Sequence, residues 1–281
     1  AYKGAYGGAI YVHGATSNAT AMIVNCMFRN NLAANGGAVS YFAMIYTNTN
    51  NCSFFQNRAL HGGAILQNHS SYMSNSICYF LSNRANHGGA LYIASSNLAI
   101  NHQSIFKGNL VLDQFNGLGG TIFLKNVTSI INTNCKFQNS LSSYYGGVLY
   151  AQNIRVVQNI NSSYVANRGY DGGCIFLQDV WRIVNNLCVF EFNEARTNGG
   201  VLYTRNTKSI LIINSTFSKS KMGYGAIYAF NVSIFMNIHC LYGINKAESF
   251  GGAILIERGL ILDNLKTLFI KNVCNGDGGS I

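Results

Sequence analysis

The chain has 281 residues, 48% hydrophobic and only 10% charged, with 19 Lys and Arg against nine Asp and Glu for a net charge of +10. A large core is therefore available, charge is too sparse to solvate an ordinary globular surface, and no stretch approaches the ~20 apolar residues of a membrane-spanning helix. Asparagine, at 37 residues, takes over the solvating role, and proline is absent where roughly 14 would be usual, as suits stacked strands that need every N–H.

The first predicted element is a Gly-Gly-small-aliphatic step at Gly7. It returns at Gly36, Gly62, Gly88, Gly119, Gly146, Gly172, Gly199, Gly251 and Gly278, with Tyr224 read as replacing the glycine in one repeat, at intervals of 25 to 31 residues. Such a steady period marks one structural unit stacked about ten times. The third position after the first glycine holds Ile10, Val39, Ile65, Leu91, Ile122, Leu149, Ile175, Leu202, Ile227, Ile254 and Ile281, an aliphatic core column. The next position carries Tyr92, Phe123, Tyr150, Phe176, Tyr203 and Tyr228, which by strand alternation face away from that core. They are expected to form an exposed aromatic interaction column for sugars or protein partners.

Further along each repeat comes an asparagine column: Asn75, Asn101, Asn132, Asn159, Asn185, Asn237 and Asn264, broken by Ile212. Three residues later stands a column of small side chains that includes Cys26, Cys52, Cys78, Cys135, Cys188 and Cys240. Two residues beyond it begins an aromatic-x-x-Asn step, as in Phe28 to Asn31, Phe54 to Asn57, Phe80 to Asn83 and Phe106 to Asn109. The two asparagine columns are read as hydrogen-bonded ladders at two corners. The cysteines stack in register as an inward column, side chains pointing the same way rather than at each other, which suits buried free thiols better than disulfides.

Segments of alternating polarity, corners of Asn and Gly, and about 27 residues per repeat fit three short strands per coil. The expected fold is all-β, a right-handed parallel β-helix of about ten rungs and on the order of 50 Å long at the ~4.8 Å strand spacing. It is expected to form a single domain over 1–281, uncapped at both ends. Leucine-rich repeats, of similar period, would show a leucine frame and a helical arc.

The Gly7-Gly8-Ala9-Ile10, Gly62-Gly63-Ala64-Ile65, Gly88-Gly89-Ala90-Leu91 and Gly251-Gly252-Ala253-Ile254 steps, alternating with aromatic-x-x-Asn, resemble the repeats of the chlamydial polymorphic outer membrane proteins. Similar repeats occur in β-helical surface proteins of other microbes and protists. The resemblance implies an extracellular β-helix used in adhesion or surface architecture, and it transfers no catalytic residue.

Candidate sites are few. A polysaccharide lyase or hydrolase would need converging carboxylates, and the nine acids do not converge. Asp171 and Asp277 share a column four rungs apart, Asp179 and Glu257 lie three rungs apart, and Glu191 and Glu194 stand alone on one turn. His61 and His87 repeat at one corner without a third metal ligand. Arg58, Arg84, Arg168 and Lys246 follow the second asparagine column, as an ordinary charged corner or, alternatively, a basic stripe for acidic sugars. Asn-x-Ser/Thr sequons at Asn18, Asn51, Asn68, Asn126, Asn161, Asn214 and Asn231 are glycosylation candidates at outward positions or corners. No cofactor, metal or specific nucleic-acid partner is expected, the net positive charge being spread as a diffuse field.

The expected function is a non-enzymatic, extracellular or cell-surface structural rod that self-associates end to end or laterally into fibres or a coat. The alternatives are an adhesin rod binding glycans or a host surface, and a polysaccharide-active enzyme.

Overall fold

A computed structural model of the protein describes residues 4–14, 18–113 and 116–281. Among the described residues there are strands, turns and bends but no helix. The strands form three sheets, of thirteen, ten and eight strands. Pairing is parallel and joins each strand to its counterpart one rung away: Leu91–His102 with Ile122–Thr133, Ile105–Lys107 with Lys136–Gln138, and Arg84–Ala85 with Leu110–Val111. The chain is thus a β-solenoid of about ten turns with three strands per rung.

The longest side of each rung is a single twelve-residue strand from Leu91–His102 onward. In earlier rungs the same side is split, as in Ile65–Asn68 followed by Tyr72–Ser76. Each long strand bends at one residue of positive φ, including Asn126 at 54°, Asn153 at 56°, Asp179 at 55° and Asn206 at 55°. Asn and Asp enter this left-handed region at lower cost than other residues bearing a Cβ. Other corners use Asn51, Asn134, Asn139 and Asn161 in the same conformation, so the asparagine excess turns the backbone as well as solvating it.

The Gly-Gly step needs its two glycines for different reasons. Gly88 has φ +62°, and a Cβ there would meet the Leu91 carbonyl oxygen at 2.0 Å. A Cβ on Gly89 would lie 2.2 Å from the Gly120 carbonyl oxygen of the next rung. The first glycine makes the turn; the second lets rungs stack. The repeat around Tyr224 corrects the sequence reading. Tyr224 pairs with Asn198, the residue ahead of Gly199, and the positive φ falls on Gly225. Ile227 still pairs with Leu202, so this rung has lost one residue of the step, and Tyr224 does not replace its glycine.

The core holds the aliphatic column together with one continuous ring stack. From Phe28 through Phe54, Phe80, Phe106, Phe137, Tyr164, Phe190, Phe217 and Tyr242 to Phe269, successive centroids lie 4.7–5.1 Å apart, with planes within 3–14° of parallel. That distance is the rung spacing, so each ring lies flat on the next.

Buried amides tie the rungs together beside it. Asn57 donates its backbone N–H and its Nδ2 to Asn83 Oδ1, both at 3.0 Å, while Asn83 Nδ2 reaches back to the Phe54 carbonyl at 3.0 Å. The other column links Asn75, Asn101, Asn132, Asn159 and Asn185 by Nδ2–Oδ1 bonds of 2.8–2.9 Å. This second set lies inside the long strand and points into the core, not at a corner as the sequence suggested: Asn101 is buried within Leu91–His102. Two core tyrosines use it, Tyr164 and Tyr242 donating to Asn159 and Asn237 Oδ1 at 2.6 and 2.8 Å.

Candidate functional site

The aromatic column expected to be exposed is covered. Phe123, Tyr150, Phe176 and Tyr203 are buried, and with half-buried Tyr92 and Tyr228 they make a second apolar cluster, separate from the main core, that also takes in Leu118 and Tyr145. The residue just ahead of each Gly-Gly step supplies the cover. His61 meets Tyr92 at 5.2 Å, His87 meets Phe123 at 5.6 Å, and Tyr145 stacks on Phe176 at 4.2 Å. In these three contacts the covering residue comes from the rung before, and Tyr145 also stacks on Tyr150 of its own rung at 6.3 Å. Strand alternation gave the correct face, but it carries no information on what lies above that face. The four central members are packed away, while Tyr92 and Tyr228 stay half-buried.

The thiol column is buried from Cys52 to Cys240, Cys26 is exposed, and all eight cysteines are free. Each inner thiol has a hydrogen-bonding task. Cys78 Sγ donates to the Ser76 and Thr49 carbonyls at 3.2 and 3.3 Å, and the Cys78 N–H donates to Ser104 Oγ at 3.1 Å. Ser104 repeats the pattern toward His102 and Asn75. Cys and Ser interchange along the column because the position needs a short donor that also accepts. Burial raises the Cys78, Cys135 and Cys188 thiols to about 11, which suppresses the nucleophilic thiolate.

Glu194 and Glu248 line one pocket with Arg168, Arg196 and Lys221, and five carboxylates have partners of their own. Glu194 pairs with Arg168 at 2.6 Å and Glu191 with Lys219 at 2.9 Å. Buried Asp171 accepts from the Thr197 hydroxyl and from the Asn198 N–H and Nδ2. Asp179 accepts from Asn206 Nδ2 at 2.9 Å, and Glu257 from the Tyr228 hydroxyl at 2.7 Å. Among the described residues no group of three or more His, Cys, Asp or Glu is placed to hold a metal ion.

The cationic corner runs through Arg58, Arg84, Leu110, Leu141, Arg168 and Glu194 in register. Two leucines and an acid interrupt it, so it is not a continuous basic stripe. His61 and His87 do stack, at 5.5 Å, and burial lowers the pKa of both. Six sequon asparagines, Asn18, Asn51, Asn126, Asn161, Asn214 and Asn231, are exposed, while Asn68 is half-buried.

One cluster escaped the sequence reading. Arg155, Trp181 and Lys208 each stand nine residues after a first glycine, and neighbouring Ile154, Val180 and Thr207 pair in register, so the three form an outward column across three rungs. Trp181, the only tryptophan of the chain, is 61% exposed. Lys208 Nζ lies 6.0 Å from its ring centroid. With Asn153, Asp179 and Asn206 these residues line a shallow groove of about 350 Å³. The signal in the sequence is the repeat position itself, five residues beyond the aromatic column.

Against curated proteins, a stretch of 165 residues, 54% of the chain, is 29% identical to a probable autotransporter, YfaL, of Escherichia coli strain K12. The chain spans 12% of that relative's length. No family model and no solved structure matches.

Proposed function

We propose that this chain is a stretch of an extracellular, cell-surface β-solenoid rod of adhesin-like, non-enzymatic function, whose binding chemistry sits on its sides. The observation that carries the reading is the division of labour within each rung. Inward positions are committed to the aliphatic column, the ring stack and the amide columns, and the outward aromatics from Phe123 to Tyr203 are buried in a second cluster. Only the remaining outward side chains are free to vary without disturbing the stack. The partners of Glu191, Glu194, Asp171, Asp179 and Glu257 are separate ones, which supports the non-enzymatic reading. The repeat resemblance to polymorphic outer membrane proteins and the partial likeness to a probable autotransporter support a surface location.

Antibodies raised against this chain should label intact, unpermeabilised cells of the producing organism, and external protease should remove the label. Labelling confined to permeabilised cells would refute the reading.

A further inference from the structure

We propose that the Arg155, Trp181 and Lys208 column is a binding site for an acidic saccharide, one bearing carboxylate or sulfate groups. The inference rests on the surface-rod reading for its biological setting, but its chemistry stands on the groove. An indole face at 61% exposure is costly to leave in water and suits the apolar face of a pyranose ring. The two rungs beside it place a guanidinium and an ammonium one strand spacing to each side, about 4.8 Å per rung. Anionic groups flanking a ring stacked on Trp181 would fall within their reach, and a guanidinium matches a carboxylate or sulfate edge by paired hydrogen bonds.

Asn153 and Asn206 line the same groove and offer amide donors and acceptors to sugar hydroxyls. Asp179, held by Asn206 Nδ2 at 2.9 Å, adds an acceptor. These groups also favour a saccharide over a nucleic-acid strand. Single-stranded nucleic acid is held by successive bases on several aromatics along a cationic track. Here the groove holds a single aromatic ring, Trp181, with no second ring beside it for a neighbouring base.

Because Trp181 is the only tryptophan, its fluorescence reports this groove alone. Titrating the 281-residue chain with oligogalacturonate and with a heparin oligosaccharide should quench or shift that emission saturably with at least one of them. A neutral dextran oligomer should leave it unchanged. By calorimetry with the ligand that responds, Trp181→Ala should weaken binding at least tenfold. Arg155→Gln combined with Lys208→Gln, which keeps the indole, should do the same and abolish the salt dependence.

The proposal is overturned if neither acidic oligosaccharide perturbs the emission at millimolar concentration, or if both variants bind like the parent. It is also overturned if a single-stranded oligonucleotide binds this groove more tightly than either sugar. None of these outcomes bears on surface labelling of cells, so the groove can fail while the rod reading stands.

Discussion

Replacing Asn83 with alanine tests whether the buried amide columns hold the rungs together. Asn83 is fully buried. Its Oδ1 accepts the Asn57 N–H and Nδ2 at 3.0 Å each, and its Nδ2 donates to the Phe54 carbonyl at 3.0 Å and to Asn109 Oδ1 at 3.1 Å. In the variant Asn57 Nδ2 keeps the Phe28 carbonyl, and Asn109 Oδ1 keeps the residue-83 N–H. The Asn57 N–H loses its partner in a dry interior, whereas the Phe54 carbonyl keeps its place in the parallel ladder with Leu81. At about 1–3 kcal/mol for a buried group left unsatisfied, the expected loss is about 1–3 kcal/mol. With a urea slope of about 3 kcal/mol per molar, the unfolding midpoint followed by far-ultraviolet circular dichroism should fall by roughly 0.3–1 M. Asn83→Ser, which imitates Ser140 and Ser220 at the same column position, should lose less because a hydroxyl can serve the Asn57 N–H. A midpoint shift under about 0.2 M for the alanine variant, or equal losses for both variants, would refute the reasoning.

Further expectations follow from other columns. Gly89→Ala should cost about 3 kcal/mol or more in thermal unfolding, since its Cβ meets the backbone of the next rung at 2.2 Å. Gly108→Ala, with φ +63° and nothing nearer than Ser82 Oγ at 3.6 Å, should cost only the left-handed penalty of about 1–2 kcal/mol; equal losses at the two glycines would contradict the stacking argument. The inner thiols of Cys78, Cys135 and Cys188, raised to about 11, should resist iodoacetamide near pH 8 in the folded protein and react on unfolding. Mass spectrometry showing them alkylated as fast as glutathione would contradict this. Burial lowers the pKa of His61 and His87, and for His87 the charge of His61 lowers it further against a smaller opposing effect of Asp113. The unfolded chain therefore takes up protons first, so their contribution is complete above the ordinary value of about 6.5 and declines as pH falls through it toward the folded values. The fall in Tm from about pH 7.5 to about pH 5 should shrink in the His61→Gln, His87→Gln double variant; an undiminished fall would remove the pair as its source.

The period of the chain made the fold legible because every rung obeys the same constraints. A glycine in the left-handed turn, an aliphatic inside and an aromatic inside recur at fixed offsets, and a parallel stack is the arrangement that satisfies them all at once. The outward aromatics were misread for a definable reason. Alternation along Leu149–Ile160 says that Tyr150 opposes Leu149, but the cover over that column comes from the residue ahead of the Gly-Gly step, as when Tyr145 lies on Tyr150 and on Phe176 of the next rung. That contact depends on the backbone direction after a left-handed glycine. The inward asparagines were misread in the opposite sense. Asn101 looked like a corner because asparagine usually turns the chain, whereas here its amide is satisfied by Asn75 below and Asn132 above. A polar residue is tolerated in the core when the same residue waits on both neighbouring rungs, a condition visible only after the register is known.

The same logic explains why candidate binding chemistry gathers where it does. In the register of Arg155, Trp181 and Lys208, successive rungs carry Asn97, Thr128, Arg155, Trp181, Lys208 and Ser233. The inward neighbours one residue earlier are Ser96, Val127, Ile154, Val180, Thr207 and Val232, all buried. The outward series ranges from hydroxyl to guanidinium to indole with no change in pairing from rung to rung. A position whose identity the stack does not constrain is free to be set by a ligand. Three consecutive rungs there hold a cation, an indole and a cation, residues that packing does not require. Removing the indole should therefore leave the solenoid standing and take away only what the groove binds, the separation of fold from function on which the Trp181→Ala experiment depends.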